Sequence, residues 1–154
     1  MNLDTPRIAD GKPMLIVGLE EHCGANAQAQ IPALWQRFAP SIGKIPGQVG
    51  YVAYGVCHDM TREGFNYLAG VEIPAESPIP EGFTSLNLPA QRYAVFKHDG
   101  HVSQMKELGD AIWSQWLPGS GEQVTDNPVM FERYGEGFDP HSGTGDIEMW
   151  LSIK

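Results

Sequence analysis

The chain has 154 residues, 42% of them hydrophobic and 10% aromatic, enough for one domain with a real core. Ten Lys and Arg stand against 19 Asp and Glu, a formal net charge of −9. That balance makes nucleic acid a poor expected partner, because binding it means neutralising phosphates with basic side chains. No apolar run approaches the roughly 20 residues that span a bilayer, so no membrane partner is expected.

The start of the chain carries acids and lacks the apolar stretch of a signal peptide, and Cys23 and Cys57 form no disulfide framework. Free thiols and a cytoplasmic location are expected. Residues 13–21 (PMLIVGLEE) read as the first strand. Residues 27–40 place Ile31, Leu34, Trp35 and Phe38 at helical spacing, with Pro32 in the first turn and Pro40 at the end. Residues 49–55 (VGYVAYG) and 65–73 (FNYLAGVEI) alternate as strands. The proline-rich stretch 75–82 is a connector, after which the pattern restarts.

Thr84–Leu88 and Gln91–His98 read as strands around a turn at Pro89 and Ala90. Met105, Leu108, Ile112, Trp113 and Trp116 mark a second helix, stopped near Pro118. Residues 129–134 (VMFERY) and 146–153 (DIEMWLSI) are the last two strands, joined by the long turn GEGFDPHSGTG. The expected fold is α+β, a β-α-β-β unit written twice. The predicted repeats span about 1–75 and about 82–154 of a single 1–154 domain. Val49, Tyr51, Tyr54 and Gly55 align with Val129, Phe131, Tyr134 and Gly135, and Trp35 and Phe38 with Trp113 and Trp116. Two such halves, each with one helix on its sheet, are expected to curve together around a ligand groove.

In the last strand Ile147, Met149, Leu151 and Ile153 share one face, which should pack on the helices. Asp146, Glu148, Trp150 and Ser152 share the other, a mixed surface that reads as the wall of a cleft. Glu148 set low in such a cleft favours flat organic cations, through charge pairing and aromatic stacking; the plain alternative is a solvated strand glutamate. Trp35, Phe38, Trp113 and Trp116 also fit a core-facing stripe. Glu132, which points opposite to Phe131, reads as a surface or salt-bridging acid beside Arg133; the alternative is a second acid near Glu148, whose pKa that neighbour would raise. The scattered histidines show no metal-ligand spacing, so neither a metal nor any cofactor is expected. Cys57 and His58 point apart as strand neighbours, which argues against a catalytic pair.

The segment FERYGEGFDPHSGTGDIEMWLSI resembles the C-terminal signature of GyrI-like proteins, the effector-binding domains of many AraC-type and MerR-type regulators. IPALWQRF, YAVFKHDG and IWSQWLPGSG resemble its other recurring blocks. The resemblance implies the duplicated fold and a small hydrophobic or cationic organic ligand held between the repeats. It places the family's strand glutamate on Glu148 and its pocket aromatics on Trp35, Tyr51, Trp113, Trp116, Phe131 and Trp150. It also implies a stand-alone member, since the two repeats use all the residues. Relatives of that kind suggest two alternatives. One is hydrolysis of strained, cyclopropane-bearing genotoxins, with Glu148 as base and Tyr51 or Tyr134 as proton donor. The other is a protective partnership with DNA gyrase.

Overall fold

A computed structural model describes residues 3–154, so the first two residues of the expected domain lie outside it. Eight strands form one antiparallel sheet in the order β1-β6-β8-β7-β3-β4-β2-β5. In chain order these are β1 (Arg7–Gly11), β2 (Met14–Cys23), β3 (Ala53–Thr61), β4 (Gly64–Ile73), β5 (Thr84–Leu88), β6 (Gln91–His98), β7 (Met130–Tyr134) and β8 (Ile147–Ile153). The order is mirrored about the central β3–β7 pair. Helix α1 (Ala27–Phe38) follows β2, and α2 (Met105–Ala111) follows β6. The α+β fold expected from the sequence is the one observed.

Three local readings change. Strand β1 escapes the hydropathy pattern because it is a mostly exposed edge strand of five residues. The strand expected at 49–55 begins only at Ala53, because Gly47 and Gly50 take positive φ angles of 80° and 64° and turn the chain away from extension. Pro32 falls in the second turn of α1, since the helix opens at Ala27.

The links between strands dictate the shape of the sheet. Strand β1 forms one edge, yet only Lys12 and Pro13 separate it from β2, which lies next to the other edge. Pro89 and Ala90 make the matching link from β5 to β6. Three Cα steps reach about 10 Å, so the two edges must come close and the sheet curls on itself. Its inner face carries no helix, but Ile16, Val56, Leu68, Tyr93 and Phe131 on that face are at most 1% exposed. They bury one another. The groove expected inside the curl is therefore filled with side chains.

The outer face carries the helices. Leu34 and Phe38 of α1 pack with Val17, Tyr67, Ala69 and Val71 over one half. Met105 and Leu108 of α2 pack with Phe96, Met149 and Leu151 over the other. As the sequence pattern predicts, the apolar face of β8 meets the helix. Past Ala111 the second helix widens into a π turn over Ile112–Trp116 before a short α3 (Leu117–Ser120).

Strands β2 and β4 leave no room for side chains where Gly18 faces Gly70. A Cβ at Gly18 would run into the carbonyl of Ala69, and one at Gly70 would lie 2.6 Å from the carbonyl oxygen of Val17. Backbone atoms cannot yield as a flexible side chain can. Gly18→Ala is expected to lower stability by about 2 kcal/mol, read as a lower midpoint in urea unfolding with an unchanged slope.

Candidate functional site

Neither helix covers the central strands β3 and β7 completely, and the floor between them is a small grid of side chains. Glu132 of β7 is at its centre, between Met130 and Tyr134 on its own strand. Ala53, Gly55 and Cys57 of β3 lie along one side, and Ile147, Met149 and Leu151 of β8 along the other. Glu132 is the one charged residue of the nine. The walls are aromatic: Trp35 of α1 meets Tyr134 edge-on at 5.7 Å, and Tyr134 meets Phe138 at 5.0 Å. Trp35 belongs to the apolar clusters of both halves, so it bridges the floor.

The Glu132 carboxylate is held by two phenols. Tyr67 of β4 donates to Oε1 at 2.7 Å and Tyr134 donates to the same oxygen at 2.8 Å. Trp35 in turn donates its indole N–H to the Tyr67 hydroxyl at 2.8 Å. Gly55 makes this possible: Tyr67 reaches across the space where a side chain would stand, and a Cβ there would overlap the hydroxyl and lie 2.7 Å from Glu132 Oε1. The second oxygen, Oε2, has no hydrogen-bond partner among the described residues. No fully buried side-chain oxygen lacks a partner among them, so Oε2 is within reach of solvent. Glu132 as a residue is only half-buried.

Burial raises the Glu132 pKa above the ordinary carboxylate value, while the two tyrosine hydrogen bonds pull it down. Burial, then the Glu132 charge, pushes Tyr67 and Tyr134 well above the usual phenol range, so both remain donors. Cys57 is also pushed well up, by burial and then by Glu132, and is a poor nucleophile there. Among the described residues no Lys, Arg or His lies within 4 Å of the Glu132 carboxylate. Its sequence reading as a surface or salt-bridging acid beside Arg133 is corrected: Arg133 points to the opposite face.

The seven residues expected to form one pocket fall into three places. Trp35, Trp113 and Trp116 are on the helix side. Trp113 packs half-buried on the cluster that holds Tyr134 and Met149, and Trp116 packs edge-on against Phe96 at 5.2 Å. Glu148, Trp150 and Phe131 face the inside of the curl, because strand neighbours alternate and Glu148 pairs with Arg133 rather than Glu132. Phe131 is core, 1% exposed and stacked on Trp150 at 5.3 Å. Tyr51 lies on the turn before β3, 71% exposed.

Glu148 has cationic partners within the chain. Arg7 of β1 donates to Oε2 at 2.7 Å, and Arg133 lies 3.7 Å from Oε1. The Trp150 indole donates to Oε1 at 3.2 Å, and the Arg7 guanidinium sits over the Trp150 ring at 5.6 Å. This group fastens β1 to β8 across β6. A separate hollow of about 220 Å³ opens beside Leu3, Phe96, Lys97 and Gln104. Its acids, Asp4 and Asp99, are exposed, which leaves it without the electrostatics of the Glu132 floor.

Comparison with known proteins gives the arrangement a family. The profile of the GyrI-like small-molecule-binding domain matches residues 4–154. The transcriptional regulator BrlR of Pseudomonas aeruginosa is 36% identical over 152 residues, covering 96% of this chain and 54% of BrlR. The chain thus spans about half the length of that regulator. The structure of SAV2435 bound to tetraphenylphosphonium superposes with a TM-score of 0.73 at 22% identity, covering 97% of this chain and 93% of that one. EcmrR in its complex with DNA superposes with a TM-score of 0.65 at 15% identity, covering 96% of this chain and 56% of that one. Such relatives remove the acidic composition as a ground for excluding nucleic acid, and they lend no support to a gyrase partnership. With a match from residue 4 to residue 154, this chain belongs to the GyrI-like family of small-molecule-binding domains.

Proposed function

We propose that this domain holds a hydrophobic organic cation over Glu132, in the cleft between its two halves. The observation that carries the reading is an acid in an uncharged, largely apolar floor, with one oxygen fixed by tyrosines and the other unpartnered among the described residues. Aromatic rings beside it supply stacking and cation–π attraction. A cation repays the burial cost of the carboxylate, and a neutral ligand of the same shape does not. The tetraphenylphosphonium held by SAV2435, a protein of the same fold, supports this ligand class. The role that the family resemblance puts on Glu148 moves to Glu132, because Glu148 is already neutralised by Arg7 and Arg133.

Titration with tetraphenylphosphonium, followed by tryptophan fluorescence, separates the two acids. Glu132→Gln is expected to weaken binding more than about thirtyfold, on the order of 2 kcal/mol. Glu148→Gln is expected to stay within about twofold of the parent. The reverse order would move the site to the inner face. Binding by the parent should also strengthen as pH rises through the raised Glu132 pKa, then level off.

The same shift gives a stability test. An acid whose folded pKa lies above its unfolded value contributes its full stability below the unfolded pKa and loses it as pH rises through the folded one. Glutamine keeps an oxygen for the two tyrosines without the charge. Glu132→Gln is therefore expected to melt at a higher temperature than the parent at neutral pH, with the gap closing as pH falls below the carboxylate range. A lower Tm at neutral pH would show that the acid serves the fold instead.

One observation favours a hydrolytic second reading: a carboxylate with raised pKa touches two phenols, the components of an acid–base group. Incubation with a strained cyclopropane electrophile and analysis of the products decides it, since ligand recovered intact would reject turnover.

A further inference from the structure

Both tyrosine bonds fall on one oxygen of Glu132. That asymmetry bears on which cations the cleft accepts, given the reading of Glu132 as the cation partner. A carboxylate offers about four lone-pair directions, two on each oxygen. Tyr67 and Tyr134 occupy Oε1, and only Oε2 is left for a ligand. The rest of the floor offers little else to accept a hydrogen bond. Beside it on this face stand Met130, Met149 and Cys57, at best weak sulfur acceptors, alkyl groups, and Tyr134, whose phenol oxygen accepts more weakly than a carboxylate.

Cations differ in what they need from such a site. An amidinium or guanidinium gives two parallel N–H groups, and it binds carboxylates well when both oxygens are free to receive them. Here one N–H would exchange water for at best a neutral phenol oxygen instead of a second carboxylate oxygen, a cost that falls on binding directly. A phosphonium or an N-alkylated aromatic ring carries spread charge and no N–H. It loses little water on entry and needs only proximity to the acid and the rings.

We propose that Tyr67 and Tyr134 are specificity-determining residues: by occupying Oε1 they tune the cleft to charge-diffuse cations without N–H donors and against fork-shaped cations such as amidines. The tyrosines thus have a role beyond positioning the acid. Tyr134 is the better place to test it, because its hydroxyl bonds only Glu132 among the described residues, whereas Tyr67 also accepts from Trp35.

The test uses two flat aromatic cations of similar size, N-methylquinolinium and 2-naphthamidinium, titrated into the full chain with tryptophan fluorescence as readout. The parent is expected to prefer the quinolinium by about tenfold. In Tyr134→Phe the preference should shrink to about threefold or less, through a gain for the amidinium. Loss of that hydrogen bond also changes the ionisation of Glu132, but this affects both ligands alike, so the ratio is the readout. Tyr67→Phe should move the ratio the same way, which guards against a folding defect peculiar to one variant. An equal affinity of the parent for both cations would overturn the proposal. So would a ratio that neither phenylalanine variant changes while both still unfold cooperatively. Quinolinium binding that Glu132→Gln leaves intact, or no quinolinium binding at all, would instead bring down the cation reading itself, and this inference with it.

Discussion

Two short links govern this molecule. Lys12 with Pro13, and Pro89 with Ala90, each tie one edge of an eight-stranded sheet to the strand beside the opposite edge. The sheet has no option but to curl, and curling gives its two faces different fates. The inner face becomes a core without any helix, filled by Tyr93, Phe131, Trp150 and their aliphatic neighbours. The outer face carries one helix per half, which leaves the central strands partly uncovered. Glu132 stands half-buried on this second face, with no cation within 4 Å among the described residues. On the inner face, by contrast, Arg7 and Arg133 neutralise Glu148.

Much of the fold was legible because hydrophobic periodicity reports burial directly. The two helices, the later strands and the apolar face of β8 all followed from it. The candidate site was legible in its residue types more than in its location. Aromatic side chains beside a glutamate on the Glu148 face of β8 read as a cleft wall. In a flat sheet that face would have been open. The curl depends on pairings between β1 and β6 and between β2 and β5, and no local pattern announces partners so far apart in the chain.

One signal in the sequence did point to Glu132. In VMFERY, Glu132 shares a face with Met130 and Tyr134, while Phe131 belongs to the other. The neighbouring Arg133 suggested a salt bridge and so the bland reading of Glu132, although strand neighbours face opposite ways. Large aromatics serve a curled inner face as well as a ligand, so residue type alone did not decide which face was which. Tyr51 was lost for a simpler reason: glycines at 47 and 50 turn the chain before the strand begins. The π turn over Ile112–Trp116 was not legible, because Met105, Leu108, Ile112, Trp113 and Trp116 fit the spacing of an ordinary helix.

The crossed edges also bear on how the chain reaches its folded state. Each half lends its leading strand to the other: Arg7 lies opposite Val95, and Met14 opposite Leu88. The first half alone would leave β1 without a partner, and the second would leave β5 without one. Each half therefore needs the other to complete its sheet, despite the mirrored architecture. Completing the sheet takes contacts between residues 66 to 88 positions apart, from Gly18 with Thr84 to Arg7 with Val95, which carry a high entropic cost of closure before they give anything back. The arrangement trades speed of folding for interdependence. A fluctuation that loosens one half also loosens the strand it has lent, so the floor beneath Glu132 is kept in shape by the whole chain.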